Sequence, residues 1–397
     1  MNRQPFQTPP RWWSPRLSPT WVRVWRPMRR RMQLKEQRLL EVEVRGAENL
    51  SGVLAEDCGV LITPNHCSHA DCYAIHGAAD QLGCCFQFMI AWQVFQRGNR
   101  LRRLALRQHG CFSVDREGTD MRAFRQAVEI LQSSRHPLVV FPEGEVYHIN
   151  DRLTPFRDGP AAMALLAARK GKRPVVCVPC AMKYHYLQDP TPELLRLMDQ
   201  LEQAVLWRPR GDLSLPERIY RLAEGLLALK ELEFLGHTGE GPVPERIAAL
   251  IDSVLRRLDA RHGVDTSGST VPERVKALRH QAIEKMEKLA EDDPQYRQCG
   301  EDLDDLFLVV QAFSYPGNYV SEEPSVERIA ETLDKFEEDV LGVTTATIRG
   351  IRRATVTFGE PIAVEAGRGK KTAPGDLTRL LEQHVQSLLD ETPQPAI

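Results

Sequence analysis

The distribution of strand-like and helix-like segments limits the folds that this chain of 397 residues can adopt. Between about residue 46 and residue 185, short apolar runs alternate with segments of helical periodicity. Runs typical of buried strands are residues 60–62, 138–141 and 175–178, and helices are expected between them at residues 122–132 and 159–169. This alternation predicts an α/β fold in which helices flank a central mixed sheet.

A long helical block interrupts the pattern from about residue 190 to residue 342. It contains three evenly spaced segments with Pro-Glu-Arg, which begin at Leu215, Val243 and Val271, and Val326 begins a similar one. Proline in the first turn followed by an acid is typical of a helix start, so each segment predicts a helix. We interpret the acidic cluster at Asp302 as a solvated helix face.

Strand character returns after the helical block, so a distant segment is expected to complete the sheet. Residues 354–358 are typical of a strand, and a helix is expected at about residues 376–389. We therefore expect four segments, which are an N-terminal membrane-interface segment at 1–45, the first part of the α/β domain at 46–190, an all-helical insertion at 191–350, and the final strand and helix at 351–392.

A histidine and an aspartate follow the first predicted strand. His66 and Asp71 are five positions apart, which corresponds to about 140° of rotation on a regular helix, so they would not share a helix face. They can meet if His66 lies in the turn before the helix. The Asp71 carboxylate would then orient one imidazole nitrogen, and the other could take a proton from a hydroxyl. The pair alone does not exclude a surface histidine beside a helix-start aspartate.

Further blocks follow this pair in a fixed order. The blocks are Asn65-His66 with Asp71, then residues 110–116, then residues 141–144, and then Val178-Pro179. Together they resemble the four sequence blocks of the glycerolipid acyltransferases, the family of 1-acylglycerol-3-phosphate acyltransferase. The resemblance covers roughly residues 46–185 and returns at residues 358–361, and it leaves out the N-terminal segment and the helical block.

The resemblance implies roles for individual residues. His66 would be the general base and Asp71 its partner, Arg116 would bind the acceptor phosphate, and the turn at Glu143 and Gly144 would help to shape the acceptor site. The implied reaction moves a fatty acyl group from acyl-CoA or acyl carrier protein to a hydroxyl of a glycerol phosphate or lysophospholipid, in phospholipid synthesis or remodelling. The family implies no metal and no further cofactor.

The third block departs from the pattern of relatives that act on phosphate acceptors. Those relatives commonly continue with Thr and Arg, whereas Glu145 and Val146 follow here. The second phosphate-binding cation is missing from its usual place, and an acid lies nearby. We therefore expect lysophosphatidate not to be the preferred acceptor. A lysolipid with another headgroup, glycerol 3-phosphate, or an amine on a non-glycerol lipid remain alternatives.

The first 40 residues are basic and rich in tryptophan. They contain ten Lys and Arg residues, and Glu36 is their only acid. The four tryptophans interleaved with the arginines are Trp12, Trp13, Trp21 and Trp25. Indole rings favour the lipid headgroup level and guanidinium groups favour anionic lipid, so the segment predicts binding to an anionic membrane surface. The alternative is a basic tail that folds over the domain or binds nucleic acid.

Composition narrows the class of protein. The net charge of −2 gives no general reason to expect a nucleic-acid partner. Nine cysteines and the lack of a secretory pattern indicate the cytoplasmic side of a membrane. No apolar stretch approaches the ~20 residues that span a bilayer, so we expect peripheral attachment without a transmembrane helix. A non-catalytic membrane adaptor is the competing hypothesis, and the presence of both His66 and Asp71 argues against it.

Overall fold

The computed structural model describes residues 11–116, 120–171, 173–320, 324–365 and 373–393. The chain divides into two compact units. The sheet unit comprises Pro9–Pro190 and Ile348–Ile397, and the helical unit includes Thr191–Thr347. The chain therefore leaves the sheet unit after residue 190, forms the helical unit, and returns at residue 348.

The sheet unit contains a mixed sheet of eight strands. The strands are β1 Leu39–Arg45, β2 Gly59–Pro64, β3 Gln87–Ala91, β4 Cys111–Val114, β5 Leu138–Val139, β6 Val175–Tyr186, β7 Arg352–Phe358 and β8 Ile362–Ala363. Their order is β1-β7-β6-β2-β5-β3-β4, and β8 pairs with β6. The pairs from β6 through β2, β5 and β3 to β4 are parallel, whereas β6 and β7 are antiparallel. The predicted α/β class with a mixed sheet is confirmed, and β7 is the distant segment that completes the sheet.

Helices cover the sheet and form the second unit. The helices are α1 Pro19–Val24, α2 Arg26–Gln37, α3 Ala47–Ala55, α4 Asp71–Gln81, α5 Trp92–Gln96, α6 Arg100–Gln108, α7 Met121–Ser133, α8 Gly159–Lys170, α9 Thr191–Leu206, α10 Leu215–Leu235, α11 Val243–His262, α12 Val271–Met286, α13 Pro294–Phe313, α14 Val326–Leu341 and α15 Pro374–Glu391. Helices α9 to α14 belong to the helical unit.

Two apolar cores lie on the two faces of the sheet. Successive side chains of a strand point to opposite faces, so Ile62 of β2 packs in one core and its neighbour Leu61 in the other. The core that contains Ile62 includes Ala74 of α4, and the core that contains Leu61 includes residues of α7, α8 and α15. Both faces of β2 are therefore buried, as is usual for a parallel strand.

The helical unit begins its helices where the sequence predicts them. Helices α10, α11, α12 and α14 start at the four positions expected, and the first three carry proline in the first turn. Ser214 with Glu217, and Thr270 with Glu273, form capping boxes that satisfy the free N–H groups of α10 and α12. The prediction of a helical block is confirmed.

The interpretation of Asp302 as solvated is wrong. Its side chain is buried in the helical unit, where it accepts hydrogen bonds from Arg261 and from His262 Nε2, the latter at 2.9 Å. A buried carboxylate needs such partners because removal of its charge from water is unfavourable. The cluster therefore contributes an internal ion-pair network that links α11 and α13.

Part of the N-terminal segment packs on the sheet unit. The ring of Trp13 stacks on Phe95 with centroids 5.1 Å apart, and its backbone N–H donates to Ser113 Oγ at 2.8 Å. Trp12 contacts Phe112 at 6.2 Å. Trp21 in α1 is 45% exposed. The alternative of a tail folded over the domain thus holds for Trp12 and Trp13. Among the described residues, no helix is both long enough and apolar enough to cross a bilayer.

Candidate active site

The side chains that the sequence predicts for the site lie where parallel strands end. His66 follows β2, Glu143 follows β5, and Arg116 follows β4. These strands are connected in parallel through β3, so their carboxyl ends lie on one edge of the sheet. In open α/β sheets this edge is the usual place for a ligand site, because the loops there present side chains above a rigid core.

His66 and Asp71 form a direct side-chain contact. Helix α4 begins at Asp71, and His66 lies in the turn before it, so the two side chains meet across the turn. His66 Nδ1 is 2.7 Å from Asp71 Oδ2. The Asp71 side chain is 0% exposed and that of His66 is 22% exposed. With Asp71 ionised, Nδ1 carries the proton, and Nε2 has no hydrogen-bond partner among the described residues.

Besides the Cys67 thiol, which lies 3.7 Å from Asp71 Oδ1, two groups hold Asp71 in place. The backbone N–H of Ser68 donates to Asp71 Oδ2 at 3.1 Å, and the Tyr184 hydroxyl donates to Oδ1 at 2.8 Å. Burial and the nearby Asp71 charge raise the pKa of Tyr184 well above its ordinary value, so the phenol keeps its proton and remains a donor. Tyr184 lies on β6, and sequence reasoning missed it because no motif connects it with Asp71.

Phe141 and Glu143 support His66 from the segment that follows the neighbouring strand β5. The ring of Phe141 stacks on the imidazole with centroids 4.2 Å apart. Glu143 is buried, and its carboxylate accepts from the His66 backbone N–H at 2.7 Å and from the Thr154 backbone N–H at 3.0 Å. It also accepts from the Thr154 hydroxyl. Burial raises the pKa of Glu143, and these hydrogen bonds oppose that shift. Glu143 therefore ties the loop after β5 to the turn that carries His66.

The turn after Glu143 brings cations and an acid together. Gly144 has φ +81°, so a residue with a Cβ would be strained there, and its Cβ would lie 2.7 Å from the Arg157 guanidinium, which would have to shift. Arg116 donates to the Gly144 carbonyl and to Glu145 Oε1, both at 2.7 Å. Burial alone would raise the pKa of Glu145, but Arg116 and Arg157 outweigh it and lower the pKa. Glu145 is thus an ionised partner of the arginine expected to bind phosphate.

Two asparagines fix the site loops to β6. Asn65 Nδ2 donates to the Met182 carbonyl at 3.0 Å, and Asn65 Oδ1 accepts from the Met182 N–H at 2.7 Å. Asn150 makes the same pair of contacts with the Tyr184 backbone, both at 2.7 Å. Asn65 belongs to the first sequence block, whereas Asn150 lies outside the blocks and was missed. Each side-chain amide pairs with the backbone of β6 as a neighbouring strand would. These paired hydrogen bonds hold the two loops in fixed positions.

A comparison with protein families supports the resemblance seen in the sequence. The acyltransferase family model matches residues 41–183, a segment that lies within the sheet unit and contains the predicted site residues. The helical unit lies outside the match. A comparison with curated proteins gives no match. Residues 41–183 are therefore similar to the acyltransferase family.

Proposed function

We propose that the sheet unit transfers a fatty acyl group from acyl-CoA or acyl carrier protein to a hydroxyl of a glycerol-phosphate or lysophospholipid acceptor. The observation that carries the proposal is the 2.7 Å contact between His66 Nδ1 and the buried Asp71 carboxylate, within a segment that matches the acyltransferase family. A histidine oriented in this way is a general base for an alcohol nucleophile.

The proposed reaction needs one base and no covalent enzyme intermediate. The acceptor hydroxyl gives its proton to His66 Nε2 while its oxygen attacks the thioester carbonyl carbon. The imidazolium that forms is stabilised by the Asp71 carboxylate beside Nδ1. When the tetrahedral intermediate collapses, the C–S bond breaks and the imidazolium returns the proton to the thiolate. The products are the acyl ester and the free thiol, and His66 is ready for another cycle.

The charges near Arg116 favour an acceptor with a low negative charge. The Arg116 guanidinium already contacts Glu145 at 2.7 Å, and the charge of Arg157 also attracts the Glu145 carboxylate. A phosphate monoester would bring up to two further negative charges to two arginines whose field is partly cancelled by Glu145. A phosphodiester headgroup carries one negative charge and matches this balance better. We therefore propose a lysophospholipid with a phosphodiester or neutral headgroup as the preferred acceptor.

A peripheral membrane contact fits the surface of the sheet unit. Trp21, Val24 and Met28 of the N-terminal helices are 45%, 61% and 47% exposed, and Leu101 of α6 is 75% exposed. Helix α6 contacts α1 and carries Arg100 and other arginines beside its apolar residues. Apolar side chains with flanking arginines suit the interface of an anionic bilayer. We propose that α1, α2 and α6 together bind the membrane that supplies the acceptor.

Purified protein tests the proposed function directly. We expect labelled acyl thioester, incubated with a panel of lysophospholipids in vesicles, to yield labelled diacyl lipid at a rate proportional to protein concentration. Release of labelled fatty acid alone, or no turnover of any acceptor with either acyl-CoA or acyl carrier protein, would contradict the proposal.

A further inference from the structure

The helical unit contains an apolar cavity of about 260 Å³. Helices α10, α11, α13 and α14 surround it, and the segment after α13 contributes further residues. Aliphatic and aromatic side chains form most of its wall, among them Leu226, Leu227, Ile247, Leu250, Phe336 and Val340. Small-molecule sites commonly have volumes of about 300–1,000 Å³, so this cavity lies just below that range and suits a small ligand.

Polar groups from α13 and α14 also line the cavity. Asp339 accepts a hydrogen bond from Gln311 Nε2 at 2.9 Å and another from the Tyr315 hydroxyl at 2.7 Å. The Lys335 ammonium lies 5.0 Å from the centroid of the Tyr315 ring and donates to the Ser314 carbonyl. These groups lie on α13, on the segment that follows it and on α14, so the cavity has an apolar wall and a polar cluster, as an amphiphile requires.

Lys335 and Asp339 both line the cavity and are groups of opposite charge type. Lys335 is 4% exposed, and burial lowers its pKa to about 7, although Asp339, Glu331 and Glu338 oppose that shift. A ligand carboxylate would add a second negative charge beside Asp339, and a ligand amine would add a cation beside Lys335. Burial of an unbalanced charge is unfavourable, so an uncharged head group fits best. A lysine amine has more than one N–H, and a head-group oxygen can accept one that Ser314 does not use.

We propose that this cavity binds an uncharged amphiphile with one medium-length alkyl chain and an oxygen-bearing head group. The chain lies against the aliphatic wall, and the head group accepts a hydrogen bond from Lys335. This binding does not depend on His66 or on the proposed acyl transfer, so loss of either property leaves the other measurable.

A series of straight-chain alcohols tests the proposal on the full-length protein. Octanol, decanol and dodecanol are titrated by calorimetry at two temperatures. Each buried methylene contributes about 0.8 kcal/mol, which corresponds to an affinity gain of roughly fourfold per methylene until the cavity is filled. Burial of the alkyl chain should also give a negative heat-capacity change. No binding up to the solubility limit of dodecanol, or an affinity that does not depend on chain length, would overturn the proposal.

Two substitutions of alanine by phenylalanine localise the binding. Ala312 lines the cavity, and Ala260 is exposed on α11 and does not line it. Ala312→Phe should weaken dodecanol binding at least tenfold because its ring fills the space, whereas Ala260→Phe should bind as the wild type does. Ala223 also lines the cavity, so Ala223→Leu takes the place of Ala312→Phe if that variant does not fold. Equal affinity in all folded variants would place the alcohol elsewhere and overturn the assignment.

A comparison of head groups tests the charge argument. Dodecanol should bind more tightly than dodecanoate or dodecylamine, and Lys335→Met should weaken dodecanol binding about fivefold through loss of one hydrogen bond. Dodecanoate that binds tenfold more tightly than dodecanol would show that Lys335 selects an anion, and the uncharged ligand class would be wrong.

Discussion

The Tyr184 hydroxyl donates a hydrogen bond to Asp71 Oδ1 at 2.8 Å, while the other carboxylate oxygen faces His66. Both side chains of this pair are buried. Each oxygen of Asp71 thus has a fixed partner, so the carboxylate cannot rotate away from the imidazole without loss of a hydrogen bond. In the proposed reaction Tyr184 is therefore a positioning residue that acts through Asp71.

Removal of this hydroxyl gives the first prediction. Tyr184→Phe should lower kcat by roughly fivefold, the effect of about 1 kcal/mol, with little change in KM. Tyr186→Phe, two residues along the same strand, is the control and should keep the wild-type kcat. An unchanged kcat in both variants would mean that the Tyr184 hydroxyl does not position Asp71 for the reaction.

The second prediction concerns the acceptor and is based on Glu145. Glu145→Gln removes the charge that opposes Arg116 and Arg157. The ratio of kcat/KM for lysophosphatidate over lysophosphatidylglycerol should rise roughly tenfold, because a phosphate dianion gains most from the change. Glu129→Gln, on the exposed side of α7, should leave the ratio unchanged. A wild-type ratio already well above one would show that Glu145 does not weaken phosphate binding.

Lys335 makes the stability of the helical unit depend on pH. Its pKa falls from an ordinary 10.5 to about 7 in the folded protein, chiefly through burial. Between these values the unfolded chain binds the proton and the folded chain does not, so stability rises with pH. The wild type should gain roughly 2 kcal/mol between pH 7 and pH 9 relative to Lys335→Met. Urea unfolding at both pH values measures this difference.

Exposed Lys288 supplies the control for that measurement. Its ammonium pairs with Glu284 on the surface of the helical unit, where the side chain is 69% exposed. Lys288→Met should therefore keep the wild-type rise in stability. The same rise in Lys335→Met would show that other groups cause it.

The proposed membrane contact is best tested by point substitutions. Deletion of the N-terminal segment would also remove Trp12 and Trp13, which pack on the sheet unit. A double substitution of Trp21→Ala and Leu101→Asp should reduce flotation with anionic liposomes at least fivefold. Leu380→Asp, at an exposed position of α15, should float as the wild type does. If the double variant floats normally, the contact lies elsewhere on the protein.

The sequence predicted those parts of the fold that depend on local patterns. Apolar runs identified β2, β5, β6 and β7, because buried strands read as short continuous runs. Strand β1 was missed, although Leu39–Arg45 pairs with β7. Its residues alternate between apolar and charged and lie next to a basic segment, so composition outweighed the alternation in the sequence interpretation.

The site was predictable where its residues lie in the sequence blocks. His66 and Asp71 meet across one turn, and the resemblance identified them. Tyr184 and Asn150 reach the site only through the register of β6 against β2, which no single segment of sequence specifies. The packing of Trp12 and Trp13 on the domain was equally hidden, because composition does not distinguish an indole ring that packs on protein from one that could contact lipid.

The central claim is that His66 is the base for acyl transfer, and the rate of the His66→Ala variant tests it most directly. Initial rates are measured on the best acceptor with labelled acyl thioester, and circular dichroism and thermal unfolding confirm that the variant is folded. His384→Ala, at an exposed position of α15, is the matched control and should retain the wild-type rate. We predict that His66→Ala loses about 10²–10⁴ in kcat, the usual contribution of a general base. A folded His66→Ala protein that turns over at the wild-type rate would contradict the mechanism.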